Sequence, residues 1–144
     1  MYKSCWLLEK RFSIEAAHHL PSHDGRCQRP HGHSFVGRLR VVSGSLHESG
    51  PKAGMAIDFA DLKKAIQPLL DDYLDHYDLN QTLDLENPTS EEIARWVYRK
   101  IKASVSWSDM LYSVVIEETC TSSCEYREIA ELNDMPGAKL LFRV

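Results

Sequence analysis

Two stretches of period-two alternation, Arg11 to Leu20 and His31 to Ser43, constrain this chain more than any other feature. Successive side chains of an extended strand point to opposite faces. In the first stretch Phe12, Ile14, Ala16 and His18 share one face, against Ser13, Glu15, Ala17 and His19 on the other. In the second, His31, His33, Phe35, Leu39 and Val41 oppose Ser34, Arg38 and Arg40. The more apolar set of each stretch points inward, and in both it carries histidines. Between them runs Pro21 to Pro30, a loop rich in Gly, Pro and polar residues. If the strands pair as a hairpin through that loop, His18, His31 and His33 converge at one end, with Gly32 leaving room between two of the rings.

The rest of the chain reads as strand, strand, helix, helix, strand, strand. Ser43 to Gly54 is a second loop, broken by Gly44, Gly50, Pro51 and Gly54. Asp58 is a good N-cap for a helix with apolar positions Phe59, Leu62, Ile66, Leu69, Leu70 and Tyr73, which Pro68 should kink or deprive of one hydrogen bond. After Asn87-Pro88, Thr89 and Glu92 form a capping box for a helix with the stripe Ile93, Trp96, Val97 and Ile101. Tyr112 to Thr119 is a strand whose Tyr112, Val114, Ile116, Glu118 face is the more apolar. A shorter strand near Glu125 to Ile129 follows, and Lys139 to Val144 has the pattern of one more.

At 144 residues and 43% hydrophobic, this is one ordinary globular domain with a real core and an α+β order of elements. No stretch approaches the roughly 20 apolar residues of a membrane helix, and Met1 to Arg11 lacks a secretory h-region. A net charge of −4 argues against a general nucleic-acid binder. Four cysteines, Cys5, Cys27, Cys120 and Cys124, are too few for a disulfide scaffold and read as thiols of a cytoplasmic protein.

Three neutral imidazoles with an open fourth position is the arrangement expected of catalytic zinc, whereas structural zinc is closed by four protein ligands. A lone His-x-His is usually two polar strand residues; the shared inward parity of all three histidines points to a metal. His19 reads as outward-facing, and His23 and His47 as loop residues, with His23 the nearest competitor.

Three further features carry chemistry. Cys27 lies four residues before His31, in the loop that would cover the metal. A nearby cation, with Arg26 or Arg29, favours a thiolate. Asp75-His76 sits in an acidic run, Asp71 to Asp78, at a helix C-terminus where the dipole favours cations instead. An aspartate beside a histidine fixes its tautomer and tunes it as an acid–base group. Adjacent helical residues do not face each other, so the pair belongs at the frayed end or in the next turn. The plain alternative is a solvated acidic helix end. Glu118 is a carboxylate forced onto an apolar strand face, costly unless paired. The N–H edge of a pterin or guanine would pair with it in a bidentate manner. Cys120 and Cys124 are a weak metal pair and read as ordinary thiols.

Taken together, these motifs resemble the 6-pyruvoyltetrahydropterin synthase / 6-carboxytetrahydropterin synthase family. The resemblance runs from about Phe12 to Arg127. It rests on Glu15-Ala16-Ala17-His18, Cys27-x3-His31-Gly32-His33, Ile57-Asp58-Phe59-Ala60-Asp61-Leu62-Lys63, Leu74-Asp75-His76, Glu86-Asn87-Pro88-Thr89-Ser90-Glu91, and Glu118-Thr119-Cys120-Thr121 with Cys124-x-Tyr126-Arg127. The three-residue gap between Cys27 and His31 is similar to that of the 6-carboxytetrahydropterin synthases of queuosine (7-deazaguanine) biosynthesis; biopterin-pathway members typically have a longer gap. The segment after about residue 128 departs from the shorter members of that branch.

The resemblance implies a tunnelling fold (T-fold) over residues 1–144: a four-stranded antiparallel sheet with two helices on one face. Subunits of that fold join sheets into a trimeric barrel, and two trimers stack into a homohexamer with active sites at subunit interfaces. The implied reaction converts 7,8-dihydroneopterin triphosphate to 6-carboxy-5,6,7,8-tetrahydropterin, acetaldehyde and triphosphate. His18, His31 and His33 would hold Zn2+, with Cys27 as general base, Asp75 and His76 as the second acid–base group, and Glu118 as the pterin anchor. Arg26 and Arg29, by charge alone, would attract the polyphosphate. A 6-pyruvoyltetrahydropterin synthase, a noncatalytic zinc-binding assembly protein and a zinc hydrolase are the competing readings.

Overall fold

The computed structural model describes residues 4–129. Four antiparallel strands form one sheet in the order β1-β2-β3-β4: Trp6–His18, His31–Ser43, Leu111–Thr119 and Ser122–Tyr126. Between β2 and β3 the chain forms α1 (Phe59–Leu69), a single turn α2 (Leu79–Thr82) and α3 (Ser90–Ser104). The two long helices lie on one face of the sheet, as expected. Their Leu62, Ile66, Ile93, Val97 and Ile101 join Ile14, Phe35, Leu39, Val41, Val114 and Ile116 of the strands in one core. Each such side chain taken out of water contributes about 1.5–3 kcal/mol. The expected strand at Lys139 to Val144 lies outside the described residues.

β2 spans the expected residues, but β1 begins earlier, at Trp6, and ends at His18 rather than Leu20. Its first half alternates only weakly in burial, and Trp6 and Leu7 are exposed. An apolar-in, polar-out signal was therefore missing there. β1 and β2 pair in continuous register from Trp6↔Ser43 to His18↔His31. That register sets His18 beside His31 and Ala16 beside His33. Midway, Phe12 faces Gly37, and a methyl built on Gly37 would overlap the Phe12 ring.

The inward set of β3 differs from expectation at Tyr112. Arg40 pairs with Ser113 and Val41 with Leu111, so Tyr112 is the extra residue of a bulge. Leu111 takes the core position instead, while Tyr112 is engaged by Arg127 through its ring and its hydroxyl. A second irregularity between Glu117 and Thr119 brackets Glu118. On the face away from the helices, Arg40 bridges Glu9 and Glu125, the buried Ser113 hydroxyl donates to Glu125, and Arg38 pairs with Glu117.

Helix ends follow the expected caps with one exception. Asp58 accepts from the Ala60 N–H at 2.9 Å, and Thr89 accepts from the Glu92 N–H at 3.3 Å. Glu92 does not reach back to complete the capping box; it pairs with Arg95. Phe59 and Tyr73, counted with the apolar face of α1, are partly exposed. Pro68 sits inside α1, where it supplies no N–H to the preceding turn. The helix then widens into a π-type turn at Leu70–Leu74, closed by the Asp75 N–H on the Leu70 carbonyl.

Candidate metal centre and active site

The hairpin geometry brings three imidazoles together at the end of the β1–β2 ladder. The ring centroids of His18, His31 and His33 lie 4.5–5.1 Å apart. One ligating nitrogen from each falls within 4.8 Å of the other two, and among the described residues this is the group suited to a metal ion. Phe35 closes the cluster from the core side, edge-on to His18 and His33. His23, the nearest competitor, is elsewhere: its Nδ1 accepts the Gly25 N–H at 2.8 Å within its own loop.

Two of the rings are oriented by backbone. His18 Nδ1 lies 2.8 Å from the Pro88 carbonyl oxygen, and His31 Nδ1 lies 2.7 Å from that of Arg29. A carbonyl only accepts, so each Nδ1 carries the proton and each Nε2 keeps a free lone pair. His18 is almost fully buried, 1% exposed, and its Nε2 has no hydrogen-bond partner. A buried polar atom left unpaired is costly and asks for an explanation. A cation shared with His31 and His33 supplies one, and the residues present fit it. Burial holds the His18 imidazole below its ordinary value of 6.5, although the Pro88 carbonyl pulls the other way. A neutral ring is the form that binds metal.

Gly32 does not serve the purpose expected of it. A methyl at this position would sit 3.4 Å from the Ala16 carbonyl oxygen, an ordinary contact, and by alternation it points away from the rings.

Glu118 stands closer to the histidines than its strand parity implied. Its Oε1 lies 3.5 Å from His18 Nε2 and 3.6 Å from His33 Nε2, and its side chain is 32% exposed. The carboxylate is therefore reachable from outside at the rim of the ring cluster. Glu118 lies on the strand face that carries the histidines but is not buried there, and the single register shift between Glu117 and Thr119 falls at it.

The chain belongs to the 6-pyruvoyl tetrahydropterin synthase family. The family model matches residues 7–129. A 6-carboxy-5,6,7,8-tetrahydropterin synthase from Synechocystis is 50% identical over 122 residues, covering 84% of this chain and 92% of that protein. One of the same name from Haemophilus influenzae is 37% identical over 142 residues, covering 84% and 98%. Among solved structures, the 6-pyruvoyl tetrahydropterin synthase of Caenorhabditis elegans superposes with a TM-score of 0.74 at 30% identity, over 90% of this chain and all of that one.

Against this family background, the remaining site residues fall in two places. Cys27 lies in the short turn Arg26–Gln28, half-buried. Its carbonyl accepts the Leu20 N–H at 2.8 Å, two residues past His18, and the Arg29 carbonyl holds His31. The loop is thus tied beside a candidate ligand at both ends. Asp75 and His76 follow the π-type turn, in the connection where the sequence put them. His76 adopts a left-handed backbone, φ 66°, unusual for a residue with a Cβ. Its N–H donates to the Glu15 carbonyl at 2.6 Å, and Asp75 accepts the Glu15 N–H at 2.9 Å. The two side chains pair, His76 Nδ1 to Asp75 Oδ2, at 3.0 Å. The Glu15 N–H, with the His76 ring, holds the Asp75 carboxyl below its ordinary value.

This pair decorates the edge of β1, three residues from His18, or about 10 Å along a strand. Among the described residues no hydrogen bond, ion pair or ring contact joins it to the three histidines or to Cys27. Sequence reading also missed two groups: the Pro88 carbonyl that orients His18, and Asn80, whose side chain bonds both backbone groups of His19. Main-chain carbonyls carry no residue-type signal, and an asparagine in a helical turn reads as solvent-facing.

Proposed function

We propose that this chain is a 6-carboxy-5,6,7,8-tetrahydropterin synthase, converting 7,8-dihydroneopterin triphosphate and one water to 6-carboxytetrahydropterin, acetaldehyde and triphosphate as a step toward 7-deazaguanine nucleosides in the cytoplasm. The observation that carries the reading is the His18, His31, His33 cluster with its unpartnered Nε2, in a chain half identical to a synthase of that name.

His18, His31 and His33 would hold Zn2+, which supplies Lewis acidity toward the hydroxyls of the substrate side chain when bound. Glu118, at the rim of the cluster, accepts the amino-pyrimidine N–H groups of the pterin and so sets which carbon of the side chain faces the histidines. Cys27, as thiolate, takes a proton from that side chain as general base. His76, kept in one tautomer by Asp75, moves the second proton as triphosphate leaves and the side chain breaks. Because Asp75 and His76 face outward from the β1 edge, they serve an active site shared with a neighbouring subunit. A homohexamer built by joining the β4 edge of one sheet to the β1 edge of the next, ahead of Glu15 where residues 75–80 take that edge, is the assembly that fits.

The test is product analysis. Zinc-loaded protein is incubated with dihydroneopterin triphosphate and the products are resolved by mass spectrometry. Acetaldehyde with 6-carboxytetrahydropterin is the expected pair. A retained three-carbon pyruvoyl side chain would assign the 6-pyruvoyl reaction instead, and no turnover with stoichiometric metal would favour a noncatalytic zinc protein.

A further inference from the structure

The unpartnered Nε2 of His18 points where it does because Pro88 holds Nδ1, and the Pro88 carbonyl is itself not part of any strand or helix. Something must fix the distance between β1's end and this loop. Asn87 ties Ser22 to this loop, its amide accepting the Ser22 N–H and donating to the Ser22 hydroxyl, both at 3.2 Å, while Asn80 holds the residue directly next to His18. Asn80 Oδ1 accepts the His19 N–H at 2.9 Å, and Asn80 Nδ2 donates to the His19 carbonyl at 2.8 Å. The same Nδ2 donates to the Glu86 carbonyl at 3.0 Å. One amide therefore grips both backbone groups of the residue after His18, and also the chain two residues before Pro88.

Asn80 is itself rigidly placed. It lies in α2, whose N-cap Asp78 accepts the Asn80 N–H at 3.1 Å, and its neighbour Leu79 is fully buried. Asp78 also bridges to Ala17 of β1. Like Glu15 and Ala17, His19 turns its backbone groups to the β1 edge away from β2, so the Asn80 amide continues there the contacts that residues 75–78 begin, beside the His18–His31 pair that ends the β1–β2 ladder.

We propose that Asn80 is a positioning residue of the metal centre: it clamps His19 to Glu86 so that the Pro88 carbonyl holds His18 in its Nδ1–H tautomer, with Nε2 presented to the cation. The proposal rests on the metal-centre reading above, but its primary readout does not need the metal. Groups that orient a ligating histidine from behind typically change metal affinity by roughly 10- to 100-fold when removed.

The experiment compares the full chain with Asn80→Ala and Asn80→Asp. The aspartate keeps the acceptor for the His19 N–H but loses both donated bonds; should the alanine variant fail to fold, the aspartate variant decides. Metal-free protein is studied first, at a pH where the ring is neutral, by nitrogen-15 NMR of the histidine rings, with His18 assigned through His18→Gln. The unsubstituted protein is expected to show one His18 tautomer, and both variants a mixture. Co2+ titration, followed by its visible absorption, is expected to show a rise in Kd of roughly 10- to 100-fold in the variants. An undisturbed His18 tautomer overturns the proposal, whatever happens to melting temperature or affinity. Failure of the unsubstituted protein to bind Co2+ would refute the metal centre itself, while the tautomer still decides the role of Asn80.

Discussion

His18 Nδ1 and the Pro88 carbonyl oxygen meet at 2.8 Å across 70 residues of sequence. That contact joins the end of the first hairpin strand to the loop before α3, and it decides which nitrogen of a buried ring is available to a cation. The candidate site is thus a property of the whole chain rather than of the His-Gly-His motif.

Removing the buried ligand should empty the site without unfolding the protein. His18→Gln is expected to lose stoichiometric zinc by elemental analysis while its far-ultraviolet circular dichroism is kept. Full zinc retention in this variant would mean that the cation sits elsewhere.

Cys27 lies outside the ring cluster, so its loss should separate metal binding from turnover. Cys27→Ala is expected to keep its zinc and lose roughly 10²- to 10⁴-fold in kcat, the range for a general base. Unchanged turnover would remove the thiol from the chemistry.

Glu118→Gln keeps the shape of the rim but removes the charge that favours paired N–H donors. Binding of a pterin, followed by fluorescence quenching, should weaken by roughly 10- to 100-fold, equivalent to about 1.5–3 kcal/mol for a hydrogen bond to a charged group. Equal affinity in the two proteins would end the anchor assignment.

The outward placement of Asp75 and His76 makes a statement about assembly. Cys27→Ala and His76→Ala chains, each inactive alone, should regain part of the activity when unfolded and refolded together, because mixed oligomers contain some sites with both groups intact. Mixtures as inactive as their components would place all the groups of each site on one chain.

On the opposite face of the sheet, Glu125 accepts the Ser113 hydroxyl and pairs with Arg40, and these hold its carboxyl below the ordinary value of 4.5. A carboxyl depressed in the folded state stabilises the protein above the unfolded value and loses that contribution as pH falls through the folded one. Glu125→Gln should therefore flatten the loss of unfolding free energy as pH falls below the ordinary value of 4.5. The side chain is 42% exposed, so solvent screening keeps the effect under about 1 kcal/mol. Urea titrations across that range measure it, and parallel curves for the two proteins would contradict it.

Much of the fold was legible because burial and alternation agree where a strand has one dry face. β2 is the clear case, with Phe35, Leu39 and Val41 inward. The N-terminal half of β1 lacked that contrast: Trp6 and Leu7 point to opposite faces yet are both exposed, and Leu8 packs only partly against the core. Tyr112 was misplaced because a bulge depends on how two distant strands slip past each other, which no local period records. The three histidines were legible for the same reason as the core: they share its parity. Glu118 was found by parity too, but its place beside the rings depends on irregular β3–β4 pairing. Pro88 acts through its main-chain carbonyl, and the Asn80 side chain acts on main-chain groups of His19 and Glu86, whose residue identities give no hint of a partner.

The central claim is that three imidazoles, and no sulfur, hold one cation with room left for substrate oxygens. Zinc K-edge X-ray absorption on the loaded protein tests it most directly. The expected spectrum has nitrogen or oxygen scatterers near ~2.0–2.1 Å with imidazole multiple scattering from three rings. A sulfur shell near ~2.3 Å, placing Cys27 on the metal, or a fourth protein imidazole closing the site, would contradict it.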